Sequence, residues 1–192
     1  MRRLTTLLLG LLIFFTSSLY AQDKNQAPAI PWKAGPITGS LKNFAEIRIP
    51  ANYVFGDAND ARTLLEITNN PPTGNEVGAV APTDADWWVL FTFNESGYVS
   101  DDEKDSLDAD AILSSIRSGT EASNKERVKR GWDPLTIVGW QMRPNYNEFT
   151  HNLEWAIKGV SKGDPLINYN ERSGTPALCR AVLSLRRSRS KC

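Results

Sequence analysis

Asp86-Trp87-Trp88-Val89-Leu90-Phe91-Thr92-Phe93 passes through Asn94-Glu95-Ser96-Gly97 into Asp101-Asp102-Glu103-Lys104-Asp105. The apolar run does not alternate with polar residues, which predicts a strand covered on both faces and therefore central in a sheet. The acids that follow predict a surface loop. From Asp105 or Ser106 a helix is expected to about Arg130, with Ala109, Ile112, Leu113 and Ile116 on one face. Acids crowd its start, Lys125, Arg127, Lys129 and Arg130 its end, and Gly131 supplies a stop, which suits the helix dipole. Its second half has almost no apolar stripe and is expected to face solvent.

Upstream, Gly35-Pro36 and Gly39 mark turns, and Ala45-Glu46-Ile47-Arg48-Ile49 alternates with the period of a half-buried strand closed by Pro50. Asp57 or Asn59 can cap a short helix through Leu64-Leu65-Glu66-Ile67, stopped by Asn69-Asn70-Pro71-Pro72-Thr73-Gly74. Glu76 to Val80 is a further strand. Downstream, Leu135 to Trp140 reads as a strand before a loop at Pro144-Asn145. Leu153, Trp155 and Ile157 then fall on one face of a strand that turns at Lys162-Gly163-Asp164-Pro165 and returns over Leu166 to Asn170. This order predicts an α+β fold, a mainly antiparallel sheet with one long helix and one short helix packed on it.

With 192 residues and 41% hydrophobic content, the chain has material for one globular domain. Arg2 and Arg3, the apolar run Leu7 to Phe15 and the small residues up to Ala21 have the order of a secretory signal, cleaved after Ala21. An uncleaved anchor is the competing reading, but the run is short of the roughly 20 residues that span a bilayer. Residues 22–31 read as a linker, 32–172 as the exported domain and 173–192 as a basic tail, disordered or aberrant. Residues 22–172 carry all 22 acids against 15 Lys and Arg, and an acidic body argues against nucleic acid as a partner. Cys179 and Cys192 both lie in the tail, so a disulfide within the domain is excluded.

Catalytic signatures are sparse. His151 and Glu154 suggest an acid/base pair or two metal ligands, but residues three apart in a strand point to opposite faces. The acidic loop offers Asp101, Asp105 and Asp108 as weak metal candidates, since hard cations take several oxygens from a loop. It lacks the glycine and closing glutamate of an EF-hand, and an acidic helix start with a solvated loop is the favoured reading. Ser96 has no nucleophile elbow around it, and no phosphate or dinucleotide loop is present, so no catalytic residue and no cofactor is assigned. Of the six tryptophans, most belong in the core, with one or two available to line a ligand groove.

Asn75-Glu76, Trp87-Trp88, Gly97-Tyr98, Asp101-Asp102, Asp108-Ala109-Asp110, Arg130-Gly131-Trp132, Gly139-Trp140 and Asn152-Leu153-Glu154-Trp155-Ala156 together carry a resemblance. Over roughly Trp32 to Arg172 the chain resembles the uncharacterised bacterial proteins of domain of unknown function family 2167, described as predicted membrane-anchored proteins. The resemblance implies an exported domain with a hydrophobic anchor near its C-terminus. In place of that anchor stands the Ser/Arg tail, which is expected to be a truncated or frame-shifted ending, with a variable natural tail as the alternative. The expected function is a cell-envelope binding, sensing or structural module of unknown partner, membrane-associated in intact relatives. The alternative is a metal-dependent or acid-catalysed hydrolase using the acids from Asp101 to Asp110.

Overall fold

The computed structural model describes residues 29–94, 102, 104–173 and 180–186. The leader expected over residues 1–21, Ser96, Asp101, Glu103, Cys179 and Cys192 lie outside the described residues. The elements in chain order are β1 (Lys33–Ala34), β2 (Ile37–Leu41), β3 (Ala45–Ile49), β4 (Tyr53–Asp57), α1 (Ala58–Ile67), β5 (Glu76–Pro82) and β6 (Trp87–Thr92). A 3-10 turn (Lys104–Ser106), α2 (Ala109–Lys129), β7 (Leu135–Asn147), β8 (Asn152–Ser161), β9 (Asp164–Ser173) and β10 (Arg180–Arg186) follow. All strand pairs are antiparallel, and eight strands form one sheet in the order β1-β4-β5-β6-β10-β9-β8-β7, beside a β2-β3 hairpin.

The expected α+β class is corrected to a mostly β fold. Ten strands and two α-helices are present among the described residues, and the long helix α2 lies over the sheet's margin, against β7, with Arg127 its only buried residue. β1, β2, β4, the second half of β7 and β10 escaped the sequence reading, three of them for identifiable reasons. β2 contains Gly39, which reads as a turn residue, yet the position is a close approach: a Cβ there would lie 2.8 Å from the Phe55 ring. β7 continues through Pro144 because it is an edge strand, where a missing N–H leaves no ladder bond unmade, and its register shifts between Met142 and Asn145 absorb the ring. β10 is an apolar run, Ala181-Val182-Leu183-Ser184-Leu185, concealed by the basic residues around it. The tail expectation is therefore corrected for residues 180–186, which are hydrogen-bonded on both sides, to β6 and to β9.

Ala79 and Val80, adjacent in β5, point to opposite faces, so the two apolar clusters flank the sheet, and the irregularity between Glu76 and Gly78 lets Val77 join the Val80 side. On one face the β2-β3 hairpin buries Leu41 and Ile49 against Phe55, Val77 and Val80. On the other, Ala61, Leu64 and Leu65 of α1 pack on Ala79 and Leu90, with Trp32 and Trp88 at the margin. α1 begins at a reciprocal capping box: Asp57 accepts from Asn59 N and Asp60 N, and the Asp60 carboxylate accepts from Asp57 N. β8 and β9 are joined at Lys162-Gly163, where both residues have positive φ, as a two-residue hairpin turn requires.

Edge strand β7 is shielded by α2 through polar groups. The Asn124 amide donates to Leu135 O and accepts from Leu135 N, both at 2.8 Å, as a neighbouring strand would. Arg117 adds a weaker bond to Val138 O at 3.4 Å. Replacing Asn124 by Ala should cost about 1–3 kcal/mol in urea denaturation and speed hydrogen exchange at the Leu135 amide. Unchanged Leu135 protection would show that α2 does not cover the edge.

Glu76 is fully buried, and its carboxylate accepts from Thr73 N (2.7 Å), Thr73 Oγ1 (2.8 Å) and Gly74 N (3.0 Å). Burial pushes its pKa up, but these donors outweigh burial and hold it below the ordinary glutamate range. A depressed folded-state pKa stabilises above the unfolded value of about 4.3 and loses that contribution as pH falls through the folded value. Glu76→Gln should therefore lose about 1–3 kcal/mol at neutral pH, with a narrower gap to the parent at about pH 3. An equal gap at both pH values would contradict the assignment.

Candidate functional site

The described sequence candidates do not assemble into one site. Asp108 is the N-cap of α2, its carboxylate accepting from Asp110 N at 3.0 Å and Ala111 N at 2.9 Å. Asp110 reaches Arg143 at 3.1 Å, and Asp105 is exposed in the 3-10 turn. Lys104 beside it pairs with Glu148 at 3.2 Å and lies over the Tyr146 ring. Among the described residues no group of three or more His, Cys, Asp or Glu is gathered as a metal would need. His151 occupies the β7–β8 turn with positive φ, its Nδ1 3.1 Å from Tyr146 Oη.

Glu154 belongs to a different network. It accepts from Tyr169 Oη at 2.9 Å and Asn147 Nδ2 at 3.3 Å, and stands opposite Glu171, which accepts from Asn152 Nδ2. Burial and the Glu154 carboxylate push the Tyr169 hydroxyl up to about 12. That proton stays in place at neutral pH, and the network is a set of satisfied bonds rather than a poised acid or base.

The opposite face of the same strands is the concave one. Trp155 and Ile157 of β8 and Leu166, Asn168 and Asn170 of β9 share it by the two-residue period of strands. α1 covers this face over β5 and α2 rises above β7, leaving a hollow of about 380 Å³ between α2 and the floor. A second hollow, of about 340 Å³, opens between the end of α1, Trp88 and the β8–β9 turn. Asn70, Arg127, Leu135, Leu166 and Asn168 line both, so the two are halves of one cleft with Arg127 at the partition.

The floor is unusual in carrying amides where a covered strand ordinarily carries Val or Ile. Asn170 is 1% exposed, and its Nδ2 donates to Asn168 O at 3.1 Å. Asn168 Oδ1 is enclosed and accepts no hydrogen bond. Arg127 donates from Nε to Asp133 O at 2.9 Å and from Nη1 to Asn70 Oδ1 at 3.2 Å, and burial pushes its pKa down. One turn on, Arg130 bonds Glu126 at 2.7 Å and Glu66 of α1 at 2.8 Å, tying the helix ends across the cleft.

A family model matches residues 34–180, from the second residue of β1 to the first of β10. The chain belongs to that family, described as Protein of unknown function (DUF2167). No curated protein and no solved structure matches it significantly. Within this DUF2167 chain the matched span contains both helices and every described side chain that lines the cleft.

Sequence reasoning missed Asn168, Asn170 and Arg127. In Leu166-Ile167-Asn168-Tyr169-Asn170 the apolar residues occupy both parities, so periodicity alone does not say which face is covered. Arg127 lies on the half of α2 expected to face solvent, and its burial follows from the approach of Asn70 and Asp133, which no local pattern announces. The tryptophans expected in the core are all half-buried; Trp155 lines one hollow and Trp88 the other.

Proposed function

We propose that the chain is an exported, non-enzymatic binding domain whose cleft between α1, α2 and β9 takes a small molecule. The observation that carries this reading is the buried amide floor. An enclosed acceptor without a partner, Asn168 Oδ1, loses its hydration on folding and is ordinarily eliminated from a covered sheet face. A bound donor would supply the missing bond. The volume of each hollow falls in the range of about 300–1,000 Å³ usual for ligand pockets, with apolar walls and a few convergent polar groups. The larger hollow is lined by neither histidine nor carboxylate among the described residues, and the carboxylates of Asp133 and Asp164 line only the smaller one.

Binding is tested on the ¹⁵N-labelled chain by titrating a panel of small alcohols, amides and carboxylates while following the indole N–H signals of Trp155 and Trp88. Saturable shifts at these two signals are expected, weakened at least about tenfold, or 1.4 kcal/mol, in Asn168→Leu. A panel that moves neither indole, or moves them equally in the variant, would remove the reading.

Export is supported by the charge, apolar core and small-residue order of residues 1–21. Expression in a bacterial host followed by fractionation should yield a product beginning at Gln22 outside the cytoplasm. Full-length product confined to the cytoplasm would contradict it.

A further inference from the structure

We infer that the ligand of this cleft is a small organic carboxylate bearing a hydrogen-bond donor, with Arg127 as its counter-ion. The inference rests on the cleft being a ligand site and adds the chemistry of what enters it. Arg127 is only 6% exposed, yet both of its recorded partners, Asp133 O and Asn70 Oδ1, are neutral oxygens. Buried guanidinium groups ordinarily hydrogen-bond a carboxylate, because a neutral acceptor does not offset the loss of hydration around a full charge. The Asp133 carboxylate instead acts on Arg127 only through space, with no hydrogen bond between the two side chains. Nη2 makes no hydrogen bond to a described residue, and the Arg127 side chain lines both hollows. The planar guanidinium therefore presents a free donor at the partition of two hollows.

Several features narrow the anion to a single charge. Arg127 is the only charged residue lining the larger hollow among the described residues, while Asp133, Lys162 and Asp164 line the smaller. Arg127 sits in the last turn of α2, where the helix dipole favours cations and opposes added negative charge. A phosphate dianion would meet one cation and that opposing field. A monocarboxylate meets one charge with one charge. Ile116, Ile137, Trp155 and Ile157 give the rest of the ligand an apolar wall, and Asn168, whose Oδ1 is unpartnered, belongs to the same lining.

The probes are 3-phenyllactate, which combines carboxylate, hydroxyl and ring, and the neutral 3-phenyllactamide of the same shape. Each is titrated into the ¹⁵N-labelled full chain, following the Trp155 indole signal. The acid should bind at least tenfold more tightly than the amide and weaken with added salt. Arg127→Met should abolish the preference, Arg127→Lys should restore part of it, and Arg143→Met, remote from the cleft, should leave it unchanged. The comparison of acid with amide in the unaltered chain stands even if Arg127→Met fails to fold. Equal binding of both probes at Trp155 overturns the carboxylate assignment while leaving the cleft a ligand site. No shift with either probe, together with a silent alcohol and amide panel, overturns both.

Discussion

The two halves of the main sheet share one backbone seam. β1, β4, β5 and β6 form one half, β9, β8 and β7 the other, and β10 is the strand that bonds to both. Its register sets Val182 between Leu90 and Asn170, and Ser184 between Trp88 and Asn168. The apolar floor beneath α1 and the amide floor beneath α2 are thereby brought side by side. Remove the seam and the cleft loses its geometry even though each half keeps its own hairpins.

Above the seam the halves are joined a second time, by side chains. Arg127 to Asn70 and Arg130 to Glu66 link the C-terminal ends of the two helices. The joints differ in strength. A ladder of six or seven residue pairs on each side of β10 is cooperative, whereas each helix contact is a single polar bond worth about 1 kcal/mol net, and less for the exposed Arg130 pair. α2 is also poor in buried apolar groups, so its hold on β7 depends on Asn124 and a few half-buried side chains. A wall of that kind opens more readily than the sheet beneath it, which suits the admission of a ligand.

What could be read from the sequence was what local patterns encode. The Trp87 run as a central strand, the Ala45–Ile49 alternation, the Asp57 cap and the hairpin around Lys162-Gly163 all depend on neighbours within a few residues. The class itself went wrong because three strand segments carried misleading local signs: a glycine chosen for its contact with Phe55, a proline tolerated at an edge, and an apolar run set among arginines. The acidic loop drew attention because charge is conspicuous in sequence. Asp108 needed its carboxylate for two backbone N–H groups, a purpose that composition does not distinguish from metal binding. The cleft was illegible for a deeper reason, since its polar residues come from the α1–β5 loop, α2 and β9, segments that meet only through the seam.

The two faces of β9 show why the amide floor differs from an ordinary polar surface. Tyr169 faces one side and gives its hydroxyl to Glu154, while Glu171 on that side takes a bond from Asn152. Polarity there is fully answered by protein. Asn168 faces the other side with its acceptor unanswered, although Ile157, directly opposite, shows that an apolar side chain is accommodated there. An apolar residue at 168 would avoid the loss of about 1–3 kcal/mol that an enclosed, unbonded amide oxygen imposes. Stability alone therefore gives no reason for Asn168, and little for a guanidinium beside it that hydrogen-bonds only neutral oxygens and feels the Asp133 carboxylate through space. Both departures occur among the described residues that line the cleft between the sheet and the two helices.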